Sequence, residues 1–179
     1  MHGESSKVSN EPFGTVYWIT GLSGAGKTTI GRILYEKIRQ KKNNVVFLDG
    51  DALREVFGND LGYTVMDRRK SAMRNIKICR LISNQGVDVI CSTISMFDIV
   101  REWGRENIKN YREIYLRVSP EVLKKRNQKG LYDTSISELV GFGVSMEEPK
   151  MSDLIIDNNG NLTPQEVCKE IWEFFEGES

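Results

Sequence analysis

The chain has 179 residues, 39% of them hydrophobic, a length that suits one domain with a core of its own. Its 25 lysines and arginines balance its 25 aspartates and glutamates, so no net charge favours binding to nucleic acid or to an anionic membrane. No apolar run approaches the ~18 residues of a membrane span, and no signal-peptide pattern opens the chain, so we expect a cytoplasmic protein without a membrane partner.

Strands and helices are predicted to alternate along the chain. Residues 1–14 are polar and turn-rich, so we expect a flexible N-terminal arm ahead of a single domain at 15–179. Short apolar segments predict five strands, at 16–20, 45–48, 87–91, 111–118 and 154–156. Helical spacing of apolar residues predicts helices after residue 26, from 50 to about 57, from 67 to 84, after Phe97 and from Pro120.

The chain ends in a turn and a further helix. Asn158-Asn159-Gly160 predicts the turn, and Thr163-Pro164-Gln165-Glu166 has the capping-box pattern of a helix start. We expect this helix to bury Val167, Ile171, Phe174 and Phe175. The alternation as a whole predicts an α/β fold: a five-stranded, mainly parallel sheet with helices on both faces, which is the three-layer sandwich of P-loop proteins.

Residues 127–150 are the one long segment without a sustained hydrophobic period. They contain Gly130, Gly141, Gly143 and Pro149. Because a long irregular segment in a small domain is usually functional, we expect a lid that closes over bound nucleotides.

The stretch GLSGAGKT at 21–28 fits the phosphate-binding pattern G-x-x-x-x-G-K-[ST], between a predicted strand and a predicted helix. Its glycines let backbone N–H groups turn around a polyphosphate, and the helix N-terminus favours negative charge. We expect Lys27 to reach the outer phosphates of ATP and Thr28 to hold Mg²⁺. The predicted ATP-binding loop comprises Gly21, Leu22, Ser23, Gly24, Ala25, Gly26, Lys27, Thr28 and Thr29.

The cysteines and the histidine of this chain are poor candidates for catalytic groups. Cys79, Cys91 and Cys168 form no C-x-x-C pair and lie in apolar stretches, so we expect buried, reduced thiols. The one histidine, His2, lies in the polar N-terminal stretch, so any general base is expected to be a carboxylate.

Asp49 and Asp51 are the candidate carboxylates, because they follow the second predicted strand, where α/β proteins bind ligands. Metal holding by Asp49 and activation of a substrate hydroxyl by Asp51 would fit a small-molecule kinase, although one of the two could instead cap the following helix. A GTPase is disfavoured, since the chain has no N-K-x-D motif. A non-catalytic ATP-binding module stays open as an alternative.

In these motifs the chain resembles the adenylyl-sulfate kinase family, P-loop enzymes that phosphorylate the 3′-hydroxyl of adenosine 5′-phosphosulfate. The similarity runs from about Thr15 to Asp157. It is carried by GLSGAGKTT (21–29), LDGD (48–51) followed by Arg54, DLGY (60–63), Asp67-Arg68, VICSTIS (89–95) and KGLY (129–132).

The resemblance implies roles for several residues. Asp51 would lie near the acceptor hydroxyl, with Arg54 and Arg68 gripping the anionic acceptor through paired guanidinium hydrogen bonds. Tyr63 and Phe142 would sandwich its base. The alternative is that the arginines are solvated helix charges, that Tyr63 anchors a loop and that Phe142 packs in the core.

Other implied positions complete the site. Ile94 and Ser95 match a pair beside the acceptor, with Ser95 counted among the catalytic residues. Arg126 and Lys129 match lid positions that contact ATP. The implied acceptor site comprises Asp49, Asp51, Arg54, Tyr63, Arg68, Ile94, Ser95, Lys129, Leu131 and Phe142.

The departures from the family pattern all fall on this acceptor half. Ala52 replaces the asparagine of the family's D-G-D-N, and Met96-Phe97 replace proline and tyrosine after Ser95. The segment from Ser71 to Arg74 (Ser-Ala-Met-Arg) replaces asparagine, isoleucine and two arginines. The lid's F-T-G-I-D is replaced by Phe142-Gly143-Val144-Ser145.

Two enzyme readings follow from the resemblance. The first is adenylyl-sulfate kinase in sulfate activation, and the second is a relative that phosphorylates another nucleotide conjugate, such as cytidine diphosphoramidate in surface-polysaccharide biosynthesis. Both use ATP and Mg²⁺, and family membership also implies a homodimer.

Overall fold

The structure is a computed structural model that describes residues 13–126 and 147–177. In chain order its elements are β1 (Thr15–Thr20), α1 (Lys27–Arg39), β2 (Val45–Asp49), α2 (Gly50–Val56), α3 (Val65–Ser83), β3 (Asp88–Thr93), α4 (Asp98–Asn107), β4 (Asn110–Arg117), α5 (Pro120–Arg126), β5 (Leu154–Asp157) and α6 (Pro164–Glu176). The predicted alternation of strands and helices is therefore confirmed, with bounds that shift by one to two residues at most ends.

The five strands form one sheet in the order β2-β3-β1-β4-β5, and each neighbouring pair is parallel. Parallel pairing brings the carboxyl ends of the strands to one edge. At that edge Thr20 of β1 is in register with Thr93 of β3, and Asp49 of β2 is in register with Ser92. The end of β3 thus lies between the end of β2 and the glycine-rich loop that follows β1.

Side chains of β1 alternate between two apolar layers, as expected for a strand buried on both faces. Tyr17 and Ile19 pack with α1 and α6, while Val16 and Trp18 pack with α3 and α4. These two layers, one on each face of the sheet, confirm the predicted three-layer sandwich. The three cysteines are free and buried, also as predicted.

The prediction for α6 was wrong at Phe174, whose side chain is 55% exposed. The buried face of the helix carries Val167, Cys168, Ile171 and Trp172 instead. Phe174 contacts Phe175 edge to face, with ring centres 4.8 Å apart, on the outer side of the last turn. The start of the helix is as predicted, because Thr163 and Glu166 form the reciprocal capping box.

Candidate active site at the phosphate loop

The loop between β1 and α1 has a backbone that requires glycine. Gly21 has φ of 153°, and a Cβ there would lie 2.7 Å from the carbonyl oxygen of Leu116. Gly26 has φ of 89° and begins α1 without a side-chain hydrogen bond to the helix. The first N–H groups of α1 have no side-chain cap, which is the arrangement that binds phosphate at helix N-termini.

Lys27 and Thr28 lie in the first turn of α1, facing different neighbours. The Lys27 side chain is buried and its ammonium donates a 2.6 Å hydrogen bond to the carbonyl of Leu22, across the loop. The Thr28 hydroxyl donates a 2.6 Å hydrogen bond to Oδ2 of Asp49. The structure thus brings Thr28 and Asp49, both predicted metal ligands, into direct contact.

The two predicted carboxylates have distinct surroundings. Asp49 ends β2, and its Oδ1 accepts hydrogen bonds from the backbone N–H groups of Asp51 and Ala52, at 3.0 and 3.3 Å. Asp49 therefore caps α2 with one oxygen and reaches Thr28 with the other. Asp51 lies in the first turn of α2 with an exposed side chain, on the same edge of the sheet as the glycine-rich loop.

A magnesium ion fits the chemistry of this corner. Mg²⁺ prefers oxygen ligands, and it is typically held by one or two side chains together with substrate phosphates. The Thr28 hydroxyl and the Asp49 carboxylate offer such oxygens next to the glycine-rich loop. Within the described residues no group of three or more His, Cys, Asp and Glu side chains could hold a metal by itself.

Tyr63 and two arginines form a second cluster beyond α2. The Tyr63 side chain is 70% exposed, with the Arg54 guanidinium 4.3 Å and the Arg68 guanidinium 5.4 Å from its ring centre. Arg68 donates a 2.8 Å hydrogen bond to the Tyr63 carbonyl, and Arg54 donates to the carbonyls of Leu61 and Gly62.

The two guanidiniums of this cluster, those of Arg54 and Arg68, are not directly paired with a carboxylate among the described residues. Burial, opposed by Tyr63 and reinforced by the neighbouring Arg54 charge, lowers the pKa of Arg68. Two adjacent half-buried cations that form no close ion pair favour binding of an anionic group, although the Asp60 carboxylate lies near enough for the Arg54 charge to lower its pKa.

Arg74 stands at one of the positions where the family has an arginine. Its side chain binds the loop between α2 and α3. Its guanidinium donates two hydrogen bonds to the carboxylate of Asp60, at 3.0 and 2.9 Å, and lies 4.5 Å from the ring centre of Phe57. This pair fastens the segment that leads to Tyr63 onto α3. The hydrogen bond from Arg74 lowers the pKa of Asp60.

Ile94 and Ser95 follow β3, between Asp49 and the glycine-rich loop. Ile94 is half-buried against the apolar layer of α1 and α6. Ser95 is fully buried, and its hydroxyl has no hydrogen-bond partner among the described residues. The backbone of Ser95, not its hydroxyl, makes the contacts: its carbonyl accepts from Thr20 and from Arg101, each at 3.0 Å.

Arg126, at the end of α5, reaches the glycine-rich loop, while its predicted contact with ATP stays a prediction. It donates a 2.8 Å hydrogen bond to the carbonyl of Asn158 and a 3.4 Å bond to that of Gly24. Asn158 was not among the predicted site residues, yet its amide donates a 2.9 Å hydrogen bond to the carbonyl of Ala25. Its position directly after β5, at the ligand-binding edge of the sheet, was the available signal.

Three predicted site residues lie outside the described residues: Lys129, Leu131 and Phe142. Most of the predicted lid lies there too, so the lid stays a prediction. Among the described residues, no helix combines the length and apolar character needed to cross a membrane.

Comparison with known proteins assigns the chain to a family. A family model described as adenylylsulphate kinase matches residues 13–157. The cytidine diphosphoramidate kinase of Campylobacter jejuni is 40% identical over 156 residues, which are 85% of this chain and 89% of that protein. A probable adenylyl-sulfate kinase of Archaeoglobus fulgidus is 35% identical over 150 residues, which are 82% of this chain and 97% of that protein.

Solved structures agree with this assignment. The Mycobacterium tuberculosis APS kinase CysC, in complex with AMPPNP and APS, matches with a TM-score of 0.82 at 26% identity, over 93% of this chain and 99% of that one. A shikimate kinase of Aquifex aeolicus matches with a TM-score of 0.61 at 18% identity, which supports the P-loop kinase fold alone. The chain therefore belongs to the adenylylsulphate kinase family and is a kinase.

Proposed function

We propose that this protein transfers the terminal phosphoryl group of Mg-ATP to a ribose 3′-hydroxyl of an anionic nucleotide conjugate. The contact that carries the proposal is the hydrogen bond between Thr28 and Asp49, because it joins the phosphate-binding helix to the strand end that presents Asp51. Asp49 by itself caps α2, so a binding module has no need of the second carboxylate, Asp51, at this edge. The arginine pair beside Tyr63 adds a cationic site for a second, anionic substrate.

In the donor half, the backbone N–H groups of the loop and Lys27 would bind the β- and γ-phosphates, with Arg126 at the loop's outer side. Thr28 and Asp49 would hold Mg²⁺, which neutralises charge on the phosphates when it is bound. Lys27 would exchange its hydrogen bond to the Leu22 carbonyl for phosphate oxygens, in a buried place where charge stabilisation is strong.

In the acceptor half, Arg54 and Arg68 would hold the anionic part of the acceptor, and Tyr63 would stack on its base. Asp51 would orient the acceptor hydroxyl and take its proton. A bond forms between that hydroxyl oxygen and the γ-phosphorus, the bond from the γ-phosphorus to the bridging oxygen breaks, and ADP leaves. Because the Ser95 hydroxyl is buried, we place Ser95 as a backbone support of this half.

Two acceptors are candidates. Family membership supports adenosine 5′-phosphosulfate, the acceptor that the sequence favoured. Cytidine diphosphoramidate is the second candidate, since a cytidine diphosphoramidate kinase is 40% identical to this chain. The acceptor-side replacements also favour the second: Ser71 and Met73 replace an amide and a guanidinium, and Arg74 is engaged by Asp60.

The deciding experiment measures ADP release under saturating Mg-ATP with each acceptor in turn, and locates the new phosphate by phosphorus NMR. We expect phosphate on the ribose 3′-hydroxyl of one acceptor, and transfer about 10²–10⁴-fold slower in the Asp51→Asn variant. If the folded wild-type protein binds an ATP analogue but phosphorylates neither nucleotide, the proposed acceptors are wrong.

Three further expectations belong to this proposal. We propose one kinase domain over residues 15–179, with the arm and the lid as predicted from the sequence. Family resemblance supports a homodimer, which light scattering of the purified protein would test. A cytoplasmic location is proposed because the substrates ATP and nucleotide conjugates are found there.

A further inference from the structure

Arg101, on α4, is a charged side chain with only 1% of its surface exposed. Its guanidinium donates hydrogen bonds to the carbonyls of Ser95 and Glu147, at 3.0 and 2.7 Å, and to the carboxylate of Asp98. Its Nε lies 3.5 Å from the carboxylate of Glu113, which is also 1% exposed. A buried cation is stable only where oxygen partners surround it in this way.

The Ser95 carbonyl links Arg101 to the phosphate-loop strand. It accepts a 3.0 Å hydrogen bond from the Thr20 hydroxyl, which in turn lies 3.4 Å from the Ser95 backbone nitrogen. Thr20 ends β1 and immediately precedes Gly21. Arg101 and Thr20 thus hold the same carbonyl from two sides.

Glu147 holds the same turn from a third direction. Its backbone N–H donates to the Met96 carbonyl at 3.1 Å, and its carboxylate accepts from the Asp98 backbone N–H at 2.5 Å. Its carbonyl accepts from Arg101. The turn formed by residues 94–98 is therefore fastened at Ser95 by Arg101, and at Met96 and Asp98 by Glu147, whose carbonyl Arg101 holds in turn.

This turn lies at the carboxyl edge of the sheet, between Asp49 and the phosphate loop. It follows β3, which lies between β2, ending in Asp49, and β1, ending at the phosphate loop. An acceptor whose hydroxyl meets both Asp51 and the γ-phosphate must lie against the residues that follow β3. A shift of this turn would displace the acceptor from the phosphorus atom without changing the phosphate loop.

We propose that Arg101 is a positioning residue for phosphoryl transfer: it sets the place of the Ser95 turn relative to Thr20, and so the place of the acceptor relative to the phosphate loop. The inference rests on the proposed function. Arg101 acts through the Ser95 carbonyl and touches no substrate. Its planar fork bonds several oxygens at once, which the point charge of a lysine does not reproduce.

Arg105 offers a matched control on the same helix. It pairs with the same carboxylate, that of Glu113, but its side chain is 29% exposed, and none of its contacts in the described part of the chain reaches residues 94–98. We expect Arg101→Met to raise the acceptor KM or lower kcat by about tenfold or more, with the Kd of an ATP analogue within twofold of wild type. Arg105→Met should change each by less than about threefold. Equal effects of the two variants on the acceptor would overturn the inference.

A double variant separates positioning from unpaired charge. Arg101→Met leaves Glu113 buried without one partner, whereas Arg101→Met with Glu113→Gln removes both charges and should fold with a higher Tm than the single variant. We expect the double variant to keep the acceptor defect, since the Ser95 carbonyl still lacks the Arg101 donor and keeps only the Thr20 hydroxyl. Wild-type acceptor kinetics in the double variant would show that charge balance, not positioning, is the role of Arg101. Arg101→Lys should give an acceptor KM between those of Arg101→Met and the wild-type protein.

Hydrogen exchange provides a readout that is independent of turnover. Amides of residues 94–98 should exchange faster in Arg101→Met than in wild type, and at the wild-type rate in Arg105→Met. Unchanged exchange in Arg101→Met would overturn the inference even if the protein phosphorylates neither nucleotide. Failure of the proposed function is a separate result, seen as a wild-type protein that transfers no phosphate.

Discussion

The Thr28 hydroxyl lies 2.6 Å from the Asp49 carboxylate, across 21 positions of sequence. One oxygen of Asp49 accepts this hydrogen bond while the other caps α2. The same carboxylate therefore aligns the start of α1 with the start of α2, and with them the residues proposed to bind phosphate and to accept the proton.

The first prediction concerns this carboxylate. Asp49→Asn should raise the Mg²⁺ concentration needed for half-maximal activity, because an amide is a weaker ligand for Mg²⁺ than a carboxylate. The fold should persist, since asparagine is also a good helix N-cap. A Mg²⁺ titration of initial rates measures the effect, with Thr28→Ser, which keeps the hydroxyl, as the control. An unchanged titration curve would remove Asp49 from the metal site.

The second prediction concerns Lys27. Lys27→Ala should lower kcat by about 10²–10³-fold, equivalent to about 3–4 kcal/mol of transition-state stabilisation, because a preorganised charge is lost at the transferring phosphoryl group. Single-turnover rates at saturating substrates measure it. A folded Lys27→Ala protein with near-normal turnover would contradict the assignment.

The third prediction separates the two aspartates. Asp51→Asn keeps the shape of the side chain but removes the base, so kcat should fall by about 10²–10⁴-fold while the Kd of an ATP analogue stays unchanged. Calorimetry for binding and a coupled ADP assay for turnover give the two quantities. If Asp49→Asn abolishes turnover and Asp51→Asn is tolerated, the two roles are reversed.

The fourth prediction concerns the ion pair of Asp60 and Arg74. Asp60→Asn should raise the acceptor KM about two- to fivefold and leave the ATP KM unchanged, because the pair is exposed and such pairs contribute little. The folded-state pKa of Asp60 is lowered by the hydrogen bond from Arg74, so the pair is complete above the ordinary pKa of an aspartate and is lost as the pH falls through the lowered value. Around neutral pH the wild-type acceptor KM should therefore not vary with pH through the titration of Asp60. Arg69→Gln, which leaves the pair intact, is a control on the same helix.

The fifth prediction concerns acceptor choice. Ser71 and Met73 replace an asparagine and an arginine of the family pattern, and polar substrate atoms left without partners cost about 1–3 kcal/mol each when buried. The double variant Ser71→Asn with Met73→Arg should therefore raise kcat/KM for adenosine 5′-phosphosulfate about tenfold or more relative to a cytidine diphosphate conjugate. Parallel assays of both acceptors measure this ratio. If the wild-type protein phosphorylates adenosine 5′-phosphosulfate efficiently and shows no activity on the cytidine diphosphate conjugate, these replacements are neutral.

Local patterns were sufficient for most of the fold. Each strand is a short apolar run and each helix has its own periodicity, so neighbouring residues specify them. Phe174 was misassigned because periodicity alone does not say where the apolar face stops at the last turn of a helix. The order β2-β3-β1-β4-β5 depends on how the layers pack, and no single segment encodes it.

The site also divides into a part that neighbouring residues specify and a part that depends on the packing of distant segments. By itself, the sequence determined the phosphate loop and the kinase family, because the groups that cradle a phosphate are consecutive backbone N–H groups and a contiguous motif specifies them. Only the tertiary structure decided that Thr28 meets Asp49, that Asn158 holds the carbonyl of Ala25 from 133 positions away, and that Arg101 holds Ser95 and Glu147 together. These contacts join loops and helices beside the carboxyl edge of the sheet, and the segments that follow different strands meet there only when the whole sheet has formed.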